Sequence, residues 1–263
     1  MFIDHDMHIH THYSRCADAT ATAEHYIQKA HELGLKKIGF ADHMWDSAVE
    51  CTIPDYRKLT YEHISQIKEE VKALDAGGIE ILFGCETECD KNGTVAVSEE
   101  VAEKLDFLIV PQSHTHLTMP KDCYEPHRKH AEFMLERFYN IVESPVSKYV
   151  TTIPHPFCAV ACPYDNRELV RLITDQEFSD CFCAAKEKNI AAEINAGAFT
   201  GKTIGEIRTD PMLHMLSIAK SAGCKFVFGS DSHRSTGHDG FFKNYVIACL
   251  LELKPENIAE FAR

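Results

Sequence analysis

The sequence predicts an α/β fold, one domain over residues 1–263 built as a barrel of parallel strands. Two observations lead there. Seven short apolar runs alternate with longer amphipathic stretches, which is the pattern of repeated strand–helix units. Six of those seven runs end in a histidine or an acid. An open doubly wound sheet gathers its site at one switch point, whereas a barrel uses nearly every strand end. The scatter of polar ends therefore favours the barrel.

The runs occupy residues 2–10, 36–43, 79–86, 107–114, 149–155, 190–195 and 225–231. They are short, apolar and often β-branched or aromatic, as buried parallel strands are. Helices are predicted over 22–33, 61–75, 98–105, 127–142, 175–188, 211–222 and 240–253. Thr22 can cap the first of these, and Glu24 suits the positive end of its dipole. Ile64, Ile67, Val71 and Leu74 form the apolar stripe of the second. Gly34, the Gly77-Gly78 pair and Gly223 stop three of them.

Composition is that of an ordinary globular chain, with 44% hydrophobic and 25% charged residues, so a sizeable core needs no staples. The formal charge of −13 argues against polymeric nucleic acid as a partner. No apolar run approaches the roughly 18 residues of a membrane span, so no membrane partner is expected. The start of the chain lacks the basic and apolar regions of a signal peptide, and the 11 cysteines lack paired spacing. The expected setting is a reducing cytoplasm with free thiols. Oligomeric state is not legible.

The polar ends carry the chemistry. His8 and His10 are two apart, which on a strand puts both on one face. His43, Glu86, His114 and His155 each end a successive run, Asp231 and His233 repeat the two-residue spacing, and Asp18 lies in the first loop. These six imidazoles and three carboxylates suffice for two or three divalent ions, with Glu86 and Asp231 as bridging groups. His116 is an alternative to His114 if that strand is shifted. Asp42 points away from His43 and reads as a hydrogen-bond anchor. Glu88 is placed to orient a neighbouring ligand, and His12 to contact substrate. The helical and loop histidines, among them His130 and His238, read as surface or packing residues.

Together these stretches resemble a known family. Asp6-x-His8-x-His10-Thr11-x-x-Ser14, Ala41-Asp42-His43, Gly84-x-Glu86, Ser113-His114, His155-Pro156 and Gly229-Ser230-Asp231-Ser232-His233 are similar to the successive motifs of the PHP (polymerase and histidinol phosphatase) superfamily. They span nearly the whole chain. The resemblance implies a distorted (β/α)7 TIM-like barrel with a trinuclear metal centre. It implies one ion on His8, His10, Glu86 and Asp231. A second would share Glu86 with His114 and His155, and a third would lie on Asp18, His43 and His233. Length and the lack of a large insertion resemble the stand-alone histidinol-phosphatase branch. The chain departs from it at Ile153-Pro154-His155-Pro156-Phe157, which lacks an acidic residue after His-Pro, and at Pro111-Gln112-Ser113-His114.

A cluster of divalent ions, as zinc, manganese or iron, acidifies water and neutralises phosphoryl oxygens. The expected activity is hydrolysis of a small phosphomonoester by metal-activated hydroxide, with L-histidinol phosphate as the named candidate. Glu86 and Asp231 hold the reacting centre. Arg234, Arg167 and Arg208 are candidate phosphate contacts, Asn195 is a neutral one, and His12 or His116 a candidate acid. Three alternatives stay open: a nucleotide phosphatase or exonuclease, an amide or lactone hydrolase using the same water, and a metal-binding regulatory module.

Overall fold

The computed structural model describes residues 3–238 and 240–263, so Phe2, at the start of the first predicted run, lies outside them. Nine strands are present among the described residues. They are β1 (His5–Ile9), β2 (Lys37–Phe40), β3 (His43–Met44), β4 (Glu80–Phe83), β5 (Cys85–Thr87), β6 (Leu108–Ile109), β7 (Thr152–Ile153), β8 (Ala191–Asn195) and β9 (Phe226–Gly229). Every ladder is parallel, in the orders β1-β2-β4 and β3-β5-β6-β7-β8-β9.

Nine strands arise from seven runs because two runs are cut. Asp42 interrupts the second: its carboxylate leaves the strand line to accept from the Thr11 backbone N–H and from the Thr11 and Ser14 hydroxyls. Gly84 interrupts the third, where a Cβ would collide with the Phe107 carbonyl oxygen. Each cut lets the end of the run join the second sheet, where His43 pairs beside Glu86. The strand ladders do not join β9 to β1. The segment after β9 does so, through an Ile9–Ser232 bridge and the bonds Asp231 N–H to His8 O, 2.8 Å, and His10 N–H to Ser232 O, 2.9 Å. The first and last ligand pairs thus come face to face.

Most helices lie where the apolar periodicity puts them, His127–Val142 and Pro211–Ala222 to the residue. Thr22 caps Ala23–Leu33 by accepting from the His25 N–H, and Gly34 ends it at a φ of 69°. The stretch 61–75 breaks into Tyr61–Ile64 and Ile67–Lys72. Between them the Ser65 hydroxyl donates to the Glu62 carbonyl. The last predicted helix shortens to Phe242–Leu250. Three short helices escape the periodicity reading: Thr115–Thr118, Asn166–Leu172 and Ile204–Arg208. All are too short to repeat an apolar stripe.

The main core fills the space between strands and helices; within it Phe138 stacks on Phe157, and Phe182 and Phe178 meet those two rings edge to face. A second, small core of Trp45, Ile53, Tyr56, Leu59 and Ala96 underlies the loop after β3. That loop forms one wall of the cavity described next. No described helix is long and apolar enough to cross a membrane.

Candidate metal centre

Glu86 is the centre of the arrangement. It is buried, and five imidazoles approach its two oxygens: His43 Nδ1 at 3.1 Å, His155 Nε2 at 3.2 Å, His10 Nε2 at 3.5 Å, His8 Nε2 at 3.7 Å and His114 Nε2 at 3.8 Å. Asp231 Oδ1 adds a second carboxylate, 3.3 Å from His10 Nε2 and 3.5 Å from His8 Nε2.

Four of those rings are held in the same way. Nδ1 is tied to a protein oxygen, and Nε2 is left facing the centre. His8 Nδ1 lies 2.7 Å from Glu193 Oε1, His10 Nδ1 3.1 Å from Ser14 Oγ, His114 Nδ1 2.8 Å from Glu88 Oε1, and His155 Nδ1 2.6 Å from Ser113 Oγ. Such oxygen tethers fix ring direction and raise ligand basicity. His43 differs: its buried Nδ1 is the atom that faces Glu86, at 3.1 Å and without hydrogen-bond geometry. A buried, unsatisfied ring nitrogen is costly unless something else meets it.

Backbone shape contributes as well. His155 and Asp231 have φ of 30° and 54°, in the region that L-residues rarely enter. The His155 N–H is held there by Glu193 Oε2 at 2.6 Å, so one carboxylate orients two histidines. Gly229 makes room for it: a Cβ there would collide with the Glu193 carboxylate and stand 2.7 Å from His8 Cβ. Below, His238 Nε2 pairs with Asp6 Oδ2 at 2.7 Å, while Asp6 Oδ1 accepts from the His8 and Ser230 backbones.

Electrostatics follow from crowding. Burial raises the Glu86 pKa, but His114, His8, His155 and His43 outweigh it and hold the carboxyl well below its usual range. Asp231 is likewise lowered, burial being overcome by His8 and His10. His10 is pushed well down by burial and by the His233 and His43 rings. His8 is pushed well up, because Glu193, Asp231 and Glu86 outweigh its burial. Ionised carboxylates and a neutral His10 are the states a cation needs, and binding one would release the proton that His8 favours.

The donor set fits divalent ions. Among the described residues, four triads have ligand atoms within 4.8 Å of one another: His8–His10–Glu86, His8–His155–Asp231, Glu86–His114–His155 and His10–His43–His233. Imidazole with carboxylate suits zinc, iron or manganese.

Eight of the nine residues expected to bind metal therefore converge: His8, His10, His43, Glu86, His114, His155, Asp231 and His233. Asp18 does not. It is exposed, and its carboxylate turns back to the Thr20 N–H and hydroxyl. Of the two histidines weighed on the fourth run, His114 joins the cluster, while His116 lines the cavity beside it.

The expected phosphate contacts fare worse. Arg167 is committed to Asp210 Oδ2 at 2.9 Å and the Ala198 carbonyl at 2.6 Å. Arg208 and Arg234 are exposed, and neither lines the cavity over the cluster. His12 turns outward to Glu70 at 3.2 Å. Asn195 is used structurally, its side chain accepting from the Gly197 N–H and donating to Glu193. Long side chains on loops go where local partners take them, which spacing does not reveal.

The cavity, about 370 Å³, is walled by His43, Glu86, His114, His116, Tyr56, Leu59, Leu117, Val160, Asp231 and His233. Arg15, Cys16 and Asp55 complete its lining, with Arg15 and Asp55 paired. Sequence reasoning missed Glu193, Arg15 and Cys16. Glu193 left one signal, an acid inside an apolar run two residues before Asn195.

Comparison with known proteins agrees with this geometry. Residues 6–254 match the family model described as the PHP domain. A probable phosphatase of Clostridium novyi is 26% identical over 226 residues, spanning 86% of this chain and 78% of the relative. Another, of Clostridium acetobutylicum, is 24% identical over 229 residues, with shares of 86% and 78%. Among solved structures, histidinol phosphate phosphatase of Lactococcus lactis, crystallised with zinc, L-histidinol and phosphate, superposes with a TM-score of 0.57 at 18% identity, over 95% of this chain and 92% of that one. A candidate histidinol phosphatase of Listeria monocytogenes gives 0.62 at 14% identity, over 92% and 100%. At such identities the superpositions establish the shared fold.

Proposed function

The chain belongs to the PHP domain family, and from that premise we propose that it is a metal-dependent phosphatase of small phosphomonoesters, with L-histidinol phosphate the leading substrate. One observation carries the reading: five imidazoles surround a single ionised carboxylate, Glu86, at the floor of an open cavity. The convergent donors support up to three ions, and zinc is favoured by the imidazole-rich set and by the metal in the Lactococcus lactis structure. Bound divalent metal supplies an acidified water and positive charge for the phosphoryl oxygens.

The protein's own residues do the rest. Glu86 and Asp231 stay ionised. Glu193, Ser113, Glu88 and Ser14 keep four rings from turning. Arg15 at the rim takes the phosphate-binding role that spacing assigns to Arg234, Arg167 and Arg208. Asp55 beside it suits a cationic group on the leaving alcohol. His116, on the wall, replaces His12 as the candidate proton donor. Water adds to phosphorus, the bond to the alcohol oxygen breaks, and that oxygen takes a proton. A cavity of about 370 Å³ suits a small substrate better than a polymer. With all 11 cysteines free, a reducing cytoplasm remains the favoured setting.

The test is phosphate release from L-histidinol phosphate and a panel of other phosphomonoesters, using protein reconstituted with zinc, manganese or iron. Turnover of at least one, abolished by chelation, is the expected result. Full metal occupancy with no hydrolysis of any phosphomonoester would overturn the reading.

A further inference from the structure

The His10–His43–His233 triad lacks the carboxylate expected for it, because Asp18 turns away to Thr20. The loop that carries Asp18 nevertheless stays pinned to the triad. At one end the Ser14 hydroxyl contacts His10 Nδ1 at 3.1 Å and accepts from the His43 N–H at 3.0 Å. At the other, the Asp18 N–H donates to the His233 carbonyl at 3.0 Å. Cys16 sits midway between those anchors and lines the cavity together with His43 and His233. The Nδ1 of His43, buried without a hydrogen bond although it faces Glu86 at 3.1 Å, is an independent sign that this part of the cluster is built to receive an ion.

We propose that Cys16 is a thiolate ligand of the ion held by His10, His43 and His233, filling the place that Asp18 leaves. On binding, the thiol proton goes to solvent and a sulfur–metal bond forms, with no change of oxidation state. A thiolate is softer than a carboxylate, so this position selects zinc over manganese and differs in that respect from the two positions that share Glu86. The inference rests on the metal-centre part of the proposed function and is independent of the substrate.

The experiment loads metal-free full-length protein with zinc and measures metal content and the zinc-edge X-ray absorption. The wild type should show a sulfur neighbour at about 2.3 Å. Cobalt(II) loading should give a thiolate-to-cobalt charge-transfer band in the near ultraviolet. Cys16→Ser should abolish both signals and bind one ion fewer per chain, while Cys183→Ser, on an exposed helical position, should keep both. Cys16→His should restore the ion count without the sulfur signal, which separates lost ligation from misfolding. A fully loaded wild type without a sulfur neighbour, or a Cys16→Ser protein with an unchanged signal, would overturn the proposal. A sulfur signal in a protein that hydrolyses no phosphomonoester would uphold it and sink only the phosphatase reading.

Discussion

The floor and the rim of the cavity are built on different rules. On the floor, His8, His10, His114 and His155 are buried, and each has Nδ1 held by an oxygen of a neighbouring segment. At the rim, Arg15 and Cys16 are exposed, Asp231 and His233 partly so, and the groups come from loops after β1 and β9. The floor is pre-organised by the strands, so its geometry exists before any ion arrives. The rim is set by short-range partners. The difference teaches that the strand-held ligands and the substrate contacts are separable here: the first belong to the barrel, the second to loops that also carry Asp231, His233 and Cys16.

Mutations should fall into two groups accordingly. Glu86→Gln removes the charge at the centre of the floor and should lower kcat by on the order of a thousandfold or more, read as phosphate release under saturating metal. Glu88→Gln leaves the ligands in place but loosens His114; metal affinity should drop about 10- to 100-fold in a competitive chelator titration. A Glu88→Gln protein with unchanged affinity would mean that the tethers are incidental. At the rim, Arg15→Ala should raise KM for phosphorylated substrates about tenfold, the effect of one charge-assisted hydrogen bond. Metal content should not change. Loss of metal in that variant would break the separation of floor from rim.

The smallest effect lies outside both regions. Arg128 hydrogen-bonds Glu177, tying helix His127–Val142 to helix Asp175–Glu187 and holding the Glu177 carboxyl down at about 2. A depressed carboxylate stabilises the fold above its ordinary value of 4.5, and that contribution disappears as pH falls toward 2. Glu177→Gln should therefore lower Tm slightly at pH 7, and by progressively less as pH falls from 4.5 toward 2, in metal-free protein. Activity measured at neutral pH should be untouched.

The same division explains what the sequence reveals. The floor is legible because strands impose a period of two, so that His8-x-His10 and Asp231-x-His233 announce shared faces. Ladder register then sets Glu86 beside His43. Glu193 is hard to see, because a lone acid in an apolar run has no partner nearby in sequence; Gly229 and His8, 36 and 185 positions away, define its role. The rim is not legible. Asp18 and Cys16 are two residues apart in an irregular loop, and only the bonds at Ser14 and Asp18 decide which one faces the triad. Arg167 was a reasonable phosphate contact until Asp210 claimed it.

Gly229 carries the least chemistry of any residue near the centre, having no side chain at all. Yet the volume that its missing Cβ leaves is occupied by a carboxylate that steadies two histidines. In a survey of every single substitution, this position should rank with the ligands themselves in intolerance. Gly229→Ala should lower stability by about 1–3 kcal/mol in denaturant titration and loosen metal with it. Searches for active-site residues that look only for reactive groups would pass over it; an inventory of this centre has to include an empty space.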